Sequence, residues 1–434
     1  MGVLLGAIAD DFTGATDLCN TLVRRGMHTV QLIDVPAAGT VMADAEAVVI
    51  ALKSRTIPAQ EAVAMSLAAL AWLKQAEARQ ILFKYCSTFD STDAGNIGPV
   101  AEALLDALDW DAVSGHGAGF TIFCPAFPEL GRSIYKGYLF VGDVLLSESG
   151  MRDHPLTPMR DPSLVRVLQR QCRGKVGLVE QRTVAQGAAA TRKAFDDLRR
   201  AGYRHAIVDA VEDRHLEWIG EAAADLPLIT GGSGIALGLP DNFRRQGLLG
   251  EGSQADALPH IEGAAAVLSG SCSRATQAQV AYMRERRPAF EINPLTAAAG
   301  RDIAEEALDW AVSRLGENPI LISATAPPDQ VAAVQERLGR ERAGALVEHI
   351  MAQIARGLVA RGVRRLVVAG GETSGAVVQA LGVSGLRIGR QIDPGVPWTM
   401  GLGDPPLALA LKSGNFGAPD FFLRAFDVLE QSHE

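Results

Sequence analysis

Acidic and hydroxyl side chains follow the first apolar segment of the chain. Residues 9–17 read ADDFTGATD, so Asp10, Asp11 and Thr13 come directly after residues typical of a buried strand. Two adjacent carboxylates at such a position are costly unless they meet water, a cation or a hydroxyl group. One interpretation is that Asp10 or Asp11 orients or deprotonates a hydroxyl group for attack. The other is that Asp11 or Thr13 only caps the following helix.

Cationic and other polar side chains also lie at the ends of two later strands that the apolar pattern predicts. They are Lys53, Ser54, Arg55, Lys84, Ser87 and Asp90. Arginine suits bidentate recognition of a carboxylate, and lysine suits a point anion. We therefore expect these residues and Thr13 to bind a small polyhydroxy acid, with its carboxylate on Arg55 and Lys84. Asp10 or Asp11 would then lie near an alcohol that attacks a γ-phosphate.

Glycine-rich turns in the last third of the chain indicate a polyphosphate site. Residues 367–378 read VVAGGETSGAVV, which predicts a strand, a tight turn and the start of a helix. Glycines let backbone amides approach an anion, and the helix directs its positive end toward the same place. SGSCS at 269–273 has the same design, and KSGNFG at 412–417 follows another apolar run. One such turn is often only a cap, but together they favour a nucleotide, with Ser271 among its contacts.

Several familiar signatures are missing from the sequence. It contains no G-x-x-x-x-G-K-[ST] motif and no G-x-G-x-x-G motif between a strand and a helix. GHGAG at 115–119 precedes a strand and favours a flexible loop. The histidines have no metal-binding spacing, and no G-x-S-x-G elbow supports a hydrolase. A nicotinamide-dependent oxidoreductase of a sugar acid and a two-lobed solute-binding module remain alternatives, the first weakened by the absent dinucleotide motif.

Composition narrows the class of protein. The 434 residues exceed the usual size of one core, which predicts two domains. A net charge of −9 without a basic block argues against nucleic acid as a partner. Five scattered cysteines fit a reduced cytoplasmic protein. No segment approaches the roughly 20 apolar residues of a membrane helix, and the apolar N-terminus is read as a strand rather than a signal peptide.

Strand and helix patterns alternate along most of the chain. This rhythm predicts an α/β fold of two domains, each a mainly parallel sheet flanked by helices. We place a first domain at 1–238, a connection at 239–263 and a second domain at 264–434. Ligands bind at the carboxyl ends of such strands, so the active site is expected in the inter-domain cleft. The long helix predicted over 341–361 could pack within or between subunits, which leaves a homo-oligomer open.

These motifs together resemble the four-carbon acid sugar kinase family. The resemblance rests on ADDFTGA at 9–15, KSR at 53–55, TGGSG at 230–234, SGSCS at 269–273, GETS at 371–374 and KSGNFG at 412–417. It spans almost the whole chain. KYCSTFDST at 84–92, followed by GNIG at 95–98, is similar to the 3-oxo-tetronate branch. The threonate/erythronate branch instead tends to read K-x-x-D-S-T-L-R-G, and its substrates remain the alternative.

The resemblance implies ATP-dependent phosphorylation of the C4 hydroxyl of a four-carbon sugar acid, with small molecules as the partners. The first domain would hold the acid and the second would hold ATP. By the match of motifs, the ATP contacts are Ser269, Gly371, Glu372, Thr373, Ser374 and Gly414. Mg²⁺ is expected to bridge the phosphates, which supply most of its anchoring. Glu372 could hold the ion through water or bind the ribose, and no other protein ligand for a metal is assigned.

Overall fold

The computed structural model describes residues 2–37, 45–109, 119–154, 156–251, 254–316 and 318–431. The chain divides into two compact units, Met1–Ala255 and Asp256–Glu434, called here the first and the second unit. Their boundary falls inside the stretch 239–263. Part of that stretch is helical, because proline in the first turn favours the start of a helix at Pro240. Of the glycine-rich loop expected at 115–119, only Gly119 belongs to the described residues.

The first unit alternates strands and helices. Its strands are β1 (Leu5–Ala9), β2 (Thr29–Ile33), β3 (Ala47–Ala51), β4 (Gln80–Lys84), β5 (Thr121–Cys124), β6 (Arg132–Tyr135), β7 (Tyr138–Val141), β8 (Val144–Leu145), β9 (Lys175–Val179), β10 (Tyr203–Val208) and β11 (Leu228–Gly231). Its helices are α1 (Phe12–Arg24), α2 (Ala59–Gln75), α3 (Ile97–Asp109), α4 (Leu164–Gln171), α5 (Gln181–Val184), α6 (Ala188–Arg200), α7 (Asp213–Ala222) and α8 (Pro240–Arg245). A 3₁₀ helix, Ser233–Gly238, precedes α8.

The main sheet of the first unit is parallel. Its strands follow the order β2-β3-β1-β4-β11-β5-β10-β9, and each neighbouring pair is parallel. Every residue of β1, β4 and β5 is buried, as expected for strands covered on both faces. The prediction of a mainly parallel sheet flanked by helices is confirmed. Strands β6, β7 and β8 form a separate antiparallel sheet that the sequence reading missed.

The second unit repeats the plan. Its strands are β12 (Ala264–Ser269), β13 (Ala289–Glu291), β14 (Ile320–Ser323), β15 (Val363–Ala369), β16 (Gly385–Asp393), β17 (Val396–Gly401) and β18 (Ala408–Lys412). Its helices are α9 (Arg274–Arg284), α10 (Pro294–Ala298), α11 (Ile303–Val312), α12 (Pro328–Leu338), α13 (Arg340–Ala360), α14 (Gly371–Ala380) and α15 (Phe421–Gln431). Strands β13, β14, β12, β15 and β18 are parallel in that order, whereas β17 and β16 add an antiparallel edge.

Strand order determines where polar residues meet in each unit. Strand β1 lies between β3 and β4, and β12 lies between β14 and β15. The chain leaves β1 toward β2 on one side and leaves the adjacent β4 toward β5 on the other side, and β12 and β15 diverge in the same way toward β13 and β16. This divergence opens a crevice at the carboxyl ends of the strands. The polar segments singled out from the sequence follow these central strands and their neighbours. Among the described helices, none combines the length and the hydropathy that a membrane-spanning helix needs.

Close packing of two glycines fixes the segment after β11, and it generates a stability prediction. A Cβ added to Gly220 of α7 would lie 2.6 Å from the carbonyl carbon of Gly238. We expect Gly220→Ala to lower the free energy of unfolding by about 1–3 kcal/mol, because backbone must move. Gly344→Ala, in α13, is the control, since its Cβ would meet only Glu348 Oε1 at 3.8 Å. That change should raise stability by about 0.5–1 kcal/mol. Chemical denaturation of both variants measures this, and equal effects would contradict the packing argument.

Candidate functional site

Arg55 lies at the centre of a charged cluster in the first unit. Its Nε donates to Asp10 Oδ2 at 3.0 Å, and its Nη2 donates to Asp10 Oδ1 at 2.8 Å and to Asp11 Oδ1 at 2.5 Å. Its Nη1 lies 3.7 Å from Asp90 Oδ2. Three carboxylates therefore surround one guanidinium, in the forked geometry that suits arginine. The structure brings together four of the residues that the sequence nominated.

Backbone hydrogen bonds place Arg55 against the end of β1. The carbonyl oxygen of Asp10 accepts from the amides of Ser54 at 3.0 Å and Arg55 at 3.1 Å. Asn96 then fixes this segment, because its Nδ2 donates to the carbonyl oxygens of Ser54 at 2.7 Å and Ile57 at 3.2 Å. Ser54 is buried and contributes through its backbone. The role of Asn96 was missed, although its place between two glycines just before α3 was a usable signal.

The segment after β4 adopts an unusual backbone to present Asp90. Phe89 and Asp90 have φ angles of 64° and 24°, a region that costs energy for residues other than glycine. The Phe89 ring packs 5.5 Å from the Tyr85 ring, and Thr88 Oγ1 donates to Asp90 Oδ1 at 2.6 Å. Cys86 Sγ lies 3.0 Å from Thr88 Oγ1. These contacts hold the Asp90 carboxylate beside Arg55.

The first turn of α1 covers the ammonium of Lys84. Asp11 caps this helix, since its Oδ1 accepts from the Gly14 amide at 3.0 Å. A Cβ at Gly14 would collide with Lys84 Nζ and with Asp11 Oδ1, so the close approach requires glycine. Lys84 is only 3% exposed. The sequence left helix capping and a chemical role as alternatives for Asp11. The geometry allows both at once.

The other nominated side chains of the first unit lie differently. Thr13 and Lys53 are exposed, and Ser87 is half-buried. Within the described residues, the side chains of Thr13 and Lys53 make no hydrogen bond and no ion pair. Their assignment to a substrate stays a prediction, because nothing in the fold holds either side chain in place.

Burial and charge oppose each other in this cluster. Burial raises the pKa of the Asp10 carboxyl, and the Arg55 guanidinium acts against that rise. Burial likewise raises the pKa of Asp17, against the charge of Lys84. For Arg55, burial alone would lower the pKa, but the charges of Asp10 and Asp11 raise it above its usual value. Asp17 was not singled out from the sequence, although it lies in the same opening motif.

The TGGSG motif at 230–234 brings backbone segments into contact. A Cβ at Gly232 would lie 2.8 Å from the carbonyl oxygen of Pro125, so the loop can pass this close only as glycine. Thr230 Oγ1 donates to the carbonyl oxygen of Ile122 at 2.8 Å and lies 3.0 Å from the Tyr85 hydroxyl. The motif thus fixes the ends of β11, β5 and β4 against one another.

The second unit holds a cavity of about 670 Å³ at the carboxyl ends of its strands. The turns 270–272 after β12 and 370–373 after β15 line one part of it. Apolar side chains that follow β13 or belong to α12 and α13 line another part: Ile292, Leu295, Val331, Val334 and Val347. The volume and the mixture of apolar surface with a few polar groups are those of a small-molecule site. The sequence reading found the glycine turns but missed this apolar wall.

The two turns interlock through their backbones and Thr373. The amides of Gly270 and Ser271 donate to the carbonyl oxygen of Ala369 at 3.0 and 3.1 Å. A Cβ at Gly270 would collide with Thr373 Oγ1, and Gly370 has a φ of 127° that favours glycine. The amides of Gly270 and Ser271 are therefore already bonded within the two turns.

The first amides of α14 have the geometry that an anion-binding site needs. The helix begins at Gly371, and the Ser374 amide donates to the carbonyl oxygen of Gly370 at 2.8 Å. The amides of Gly371, Glu372 and Thr373 precede this bond and belong to the end of the helix that attracts anions. All three residues line the cavity. This turn therefore has the geometry that its sequence predicted.

The residues predicted to contact ATP separate into those that line the cavity and those that lie behind its wall. Those that line the cavity are Ser271, Gly371, Glu372 and Thr373. Ser269 is fully buried, and its Oγ lies 2.7 Å from Thr325 Oγ1. Ser374 is buried too, with its Oγ 3.4 Å from the carbonyl oxygen of Val368. A Cβ at Gly414 would collide with Ser271 Oγ, so Gly414 supports the lining residue Ser271 from behind.

Lys412 secures the turn that contains Gly414. Its fully buried ammonium donates to Thr276 Oγ1 at 3.0 Å and to the carbonyl oxygens of Ser413 at 3.1 Å and Gly414 at 3.0 Å. Burial lowers the pKa of Lys412 to about 8. The three acceptors are neutral, so the positive charge is not cancelled by an ion pair in these contacts.

A third polar cluster has a structural explanation. Glu102, Cys172 and His205 bring ligand atoms within 4.8 Å of one another. Glu102 Oε1 accepts from the amides of Arg173 at 3.0 Å and Gly174 at 2.8 Å, and lies 3.2 Å from His205 Nε2. Although burial opposes it, these hydrogen bonds keep the pKa of Glu102 at about 2. The carboxylate is therefore already occupied in joining α3 to the strands, as expected for a structural histidine.

Comparison with known proteins covers both units. Residues 5–239 match a sugar-binding N-terminal domain, and residues 266–422 match a nucleotide-binding C-terminal domain. The chain is 63% identical over 427 residues to the 3-oxo-tetronate kinase of Burkholderia multivorans, covering 98% of this chain and 97% of the relative. It is 64% identical over 429 residues to that of Cupriavidus necator, with coverage of 98% and 97%. A solved structure from Salmonella typhimurium LT2 gives a TM-score of 0.89 at 48% identity, covering 97% and 98%.

The open space at Gly371 generates a binding prediction. A Cβ at Gly371 or at Gly375, both in α14, meets no heavy atom within 4 Å, but only Gly371 lines the cavity. We expect Gly371→Leu to weaken ATP binding by about tenfold or more, because the side chain fills space beside the helix amides. Gly375→Leu is the matched control and should keep the affinity. Isothermal titration calorimetry measures the ATP affinity of both variants. Equal affinities would contradict the prediction that the nucleotide binds at this turn.

Burial of Lys412 generates a pH prediction for stability. Between pH 8 and 10.5 the folded chain holds fewer protons at Lys412 than the unfolded chain, because the folded pKa is about 8 and the usual value is 10.5. The contribution of Lys412 to the free energy of unfolding must therefore rise with pH across that window. From pH 8 to pH 10.5, the free energy of unfolding of the native chain should therefore increase by about 3 kcal/mol relative to that of Lys412→Met. Denaturant titrations at several pH values measure this difference, and a pH-independent value would contradict the burial of a charged ammonium.

Proposed function

We propose, because this chain belongs to the four-carbon acid sugar kinase family, that it transfers the γ-phosphoryl group of ATP to the C4 hydroxyl of 3-oxo-tetronate. The identity of 63% and 64% to two 3-oxo-tetronate kinases over nearly the whole chain is the observation that carries the proposal. The structure supports it with chemistry. A charged cluster suited to a polyhydroxy acid lies in the first unit, and a cavity with helix amides lies in the second.

We assign the proton acceptor to Asp11 rather than Asp10. Both oxygens of Asp10 accept from Arg55, and its side chain is 4% exposed. The Asp11 side chain is 28% exposed, and the contacts with Gly14 and Arg55 use only its Oδ1. In the reaction, the C4 oxygen forms a bond to the γ-phosphorus while the bond to the β,γ-bridging oxygen breaks and ADP leaves. The proton of the hydroxyl passes to Asp11, with Arg55 keeping that carboxylate oriented.

The nucleotide is assigned to the cavity of the second unit. Its phosphates would meet the amides of Gly371, Glu372 and Thr373, and its base would meet the apolar wall between α12 and α13. Oxygen donors at this turn also suit Mg²⁺, which prefers carboxylate, hydroxyl and water ligands. Glu372, with Ser271 and Thr373 nearby, would hold it. When bound, the ion neutralises charge that develops on the phosphates.

Two further features bear on the setting and the substrate. The five cysteines are free thiols, which suits a reducing compartment, so we place the reaction in the cytoplasm. The segment from Cys86 to Asp90, with its two residues at positive φ, is the part of the acceptor site that resembles the 3-oxo-tetronate branch. It favours the oxo acid over threonate and erythronate.

A substrate panel tests the proposal. ADP release is measured with ATP and each of 3-oxo-tetronate, threonate and erythronate in both enantiomers, with mass spectrometry of the product. We expect a 4-phosphate and a kcat/KM at least about tenfold higher for a 3-oxo acid, since a misfitted polar group costs that much or more. Asp11→Asn should lower kcat by about 10²- to 10⁴-fold while ATP affinity is kept.

The panel also separates the alternatives. Turnover that depends on a nicotinamide cofactor instead of ATP would replace the kinase with an oxidoreductase. Higher kcat/KM for threonate or erythronate would reassign the substrate within the family. Unchanged kcat in Asp11→Asn would remove Asp11 from proton transfer without affecting the assignment of the reaction.

A further inference from the structure

We infer that Lys84 alone receives the carboxylate of the sugar acid, and that Arg55 is a positioning residue which holds the carboxylates of Asp10, Asp11 and Asp90. This inference rests on the proposed function and deepens it. It changes the expectation from the sequence, which gave Arg55 and Lys84 the same task. The two cations differ in what already surrounds them.

The guanidinium of Arg55 is already occupied by acids. Its Nε and Nη2 bind both oxygens of Asp10, Nη2 also binds Asp11 at 2.5 Å, and Nη1 faces Asp90 at 3.7 Å. A substrate carboxylate could bind Nη1 only beside the Asp90 carboxylate, and could bind Nε or Nη2 only by displacing Asp10 or Asp11. The first arrangement brings two like charges together and the second removes a carboxylate from its cation, and both are unfavourable. Arg55 therefore organises the acids of the site rather than the substrate.

The ammonium of Lys84 has the opposite surroundings. Lys84 ends β4 and is 3% exposed, yet within the described residues it makes no hydrogen bond and no ion pair within 4.0 Å. The nearest acids act on it from a distance, since its charge only partly offsets the effect of burial on Asp10 and Asp17. Burying a charge without a contacting partner is costly, and an incoming carboxylate would remove that cost.

The balance of charge points to the same position. Four carboxylates, from Asp10, Asp11, Asp17 and Asp90, share this region with Arg55 and Lys84. An anionic substrate is repelled by these acids except where a cation lacks direct contact with one of them. Gly14 leaves the space in which the Lys84 ammonium sits, and a side chain at this position would collide with it.

A comparison of an acid with its neutral analogue tests the division of roles. In erythrulose a hydroxymethyl group replaces the carboxylate of 3-oxo-tetronate, while the other groups keep the same order. The measured quantity is the ratio of kcat/KM for the acid to kcat/KM for erythrulose. We expect Lys84→Met to lower this ratio by about 100-fold, chiefly through KM of the acid. Arg55→Lys should lower kcat for both compounds and leave the ratio unchanged.

Three further variants and a check of folding support the comparison. Gly14→Ala collides with the Lys84 ammonium and with Asp11 Oδ1, so it should lower the ratio in the same direction and lower kcat for both compounds. Lys175→Met removes an exposed lysine at the start of β9 and should leave kcat/KM unchanged for both the acid and erythrulose. Thermal unfolding and ATP affinity confirm that each variant is folded. Recovery of acid phosphorylation in Lys84→Ala by added ethylammonium would be a readout that a merely structural lysine does not give.

The outcomes separate this inference from the proposed function. If the native chain phosphorylates no four-carbon acid, the proposed function is wrong. If it does, and Lys84→Met keeps the ratio while Arg55→Lys collapses it, the carboxylate belongs to Arg55 and the inference is overturned. An unchanged ratio in both variants also overturns it, because neither cation would then recognise the carboxylate.

Discussion

The bidentate pair between Arg55 and Asp10 is the interaction on which the first unit's site depends. Asp10 lies at the end of a fully buried strand, where its negative charge is unstable by itself, and Arg55 is the cation that opposes this. The same guanidinium holds Asp11, which caps α1, and faces Asp90 from the segment after β4. One side chain therefore connects the ends of three neighbouring strands. Without it, the carboxylates would repel one another in a place where water cannot screen them.

The two units solve the problem of charge at the ends of strands in different ways. The first unit uses ionised side chains in direct contact with one another. The second unit presents backbone amides of α14, and its buried cation, Lys412, donates to neutral oxygens of Thr276, Ser413 and Gly414. A cation with neutral partners keeps its field, which favours a polyanion in this unit. Fixed amides and an uncancelled charge suit phosphates, whereas mixed acids and cations suit a substrate that carries both alcohols and a carboxylate.

Much of this arrangement could be predicted from the sequence, because apolar runs and glycine turns report on the local backbone. The strand, tight turn and helix start predicted over 367–378 are present as β15, the turn at Gly370 and α14. The direction of a side chain could not be predicted at a strand end. Ser269 belongs to a motif that suggests a ligand, yet it is the last residue of β12 and faces the interior.

Hydrophobic periodicity has a related limit. It identifies the buried side of a helix but does not distinguish a packed core from a cavity wall, so Val331 and Val347 gave no signal of a ligand. The hairpin of β16 and β17 was missed because its turn at Gly395, with φ of 78°, interrupts an otherwise regular alternation of strands and helices. The role of Asn96 was missed for another reason, because its amide contacts the loop after β3, which is distant in sequence. Local patterns do not encode such contacts.

The segment between Lys84 and Asp90 holds one acid of the charged cluster on an unfavourable backbone. A backbone at positive φ in Phe89 and Asp90 is unfavourable, and burial of the Phe89 ring against Tyr85 stabilises it. Thr88 then fixes Asp90 within reach of Arg55. Under the proposed function, this turn sets the angle at which the Asp90 carboxylate meets the guanidinium and the substrate. Discrimination between an oxo and a hydroxyl group at C3 depends on such angles, because both groups accept a hydrogen bond and only the hydroxyl donates one. The strained turn would therefore link substrate choice to the same guanidinium that orders the rest of the site.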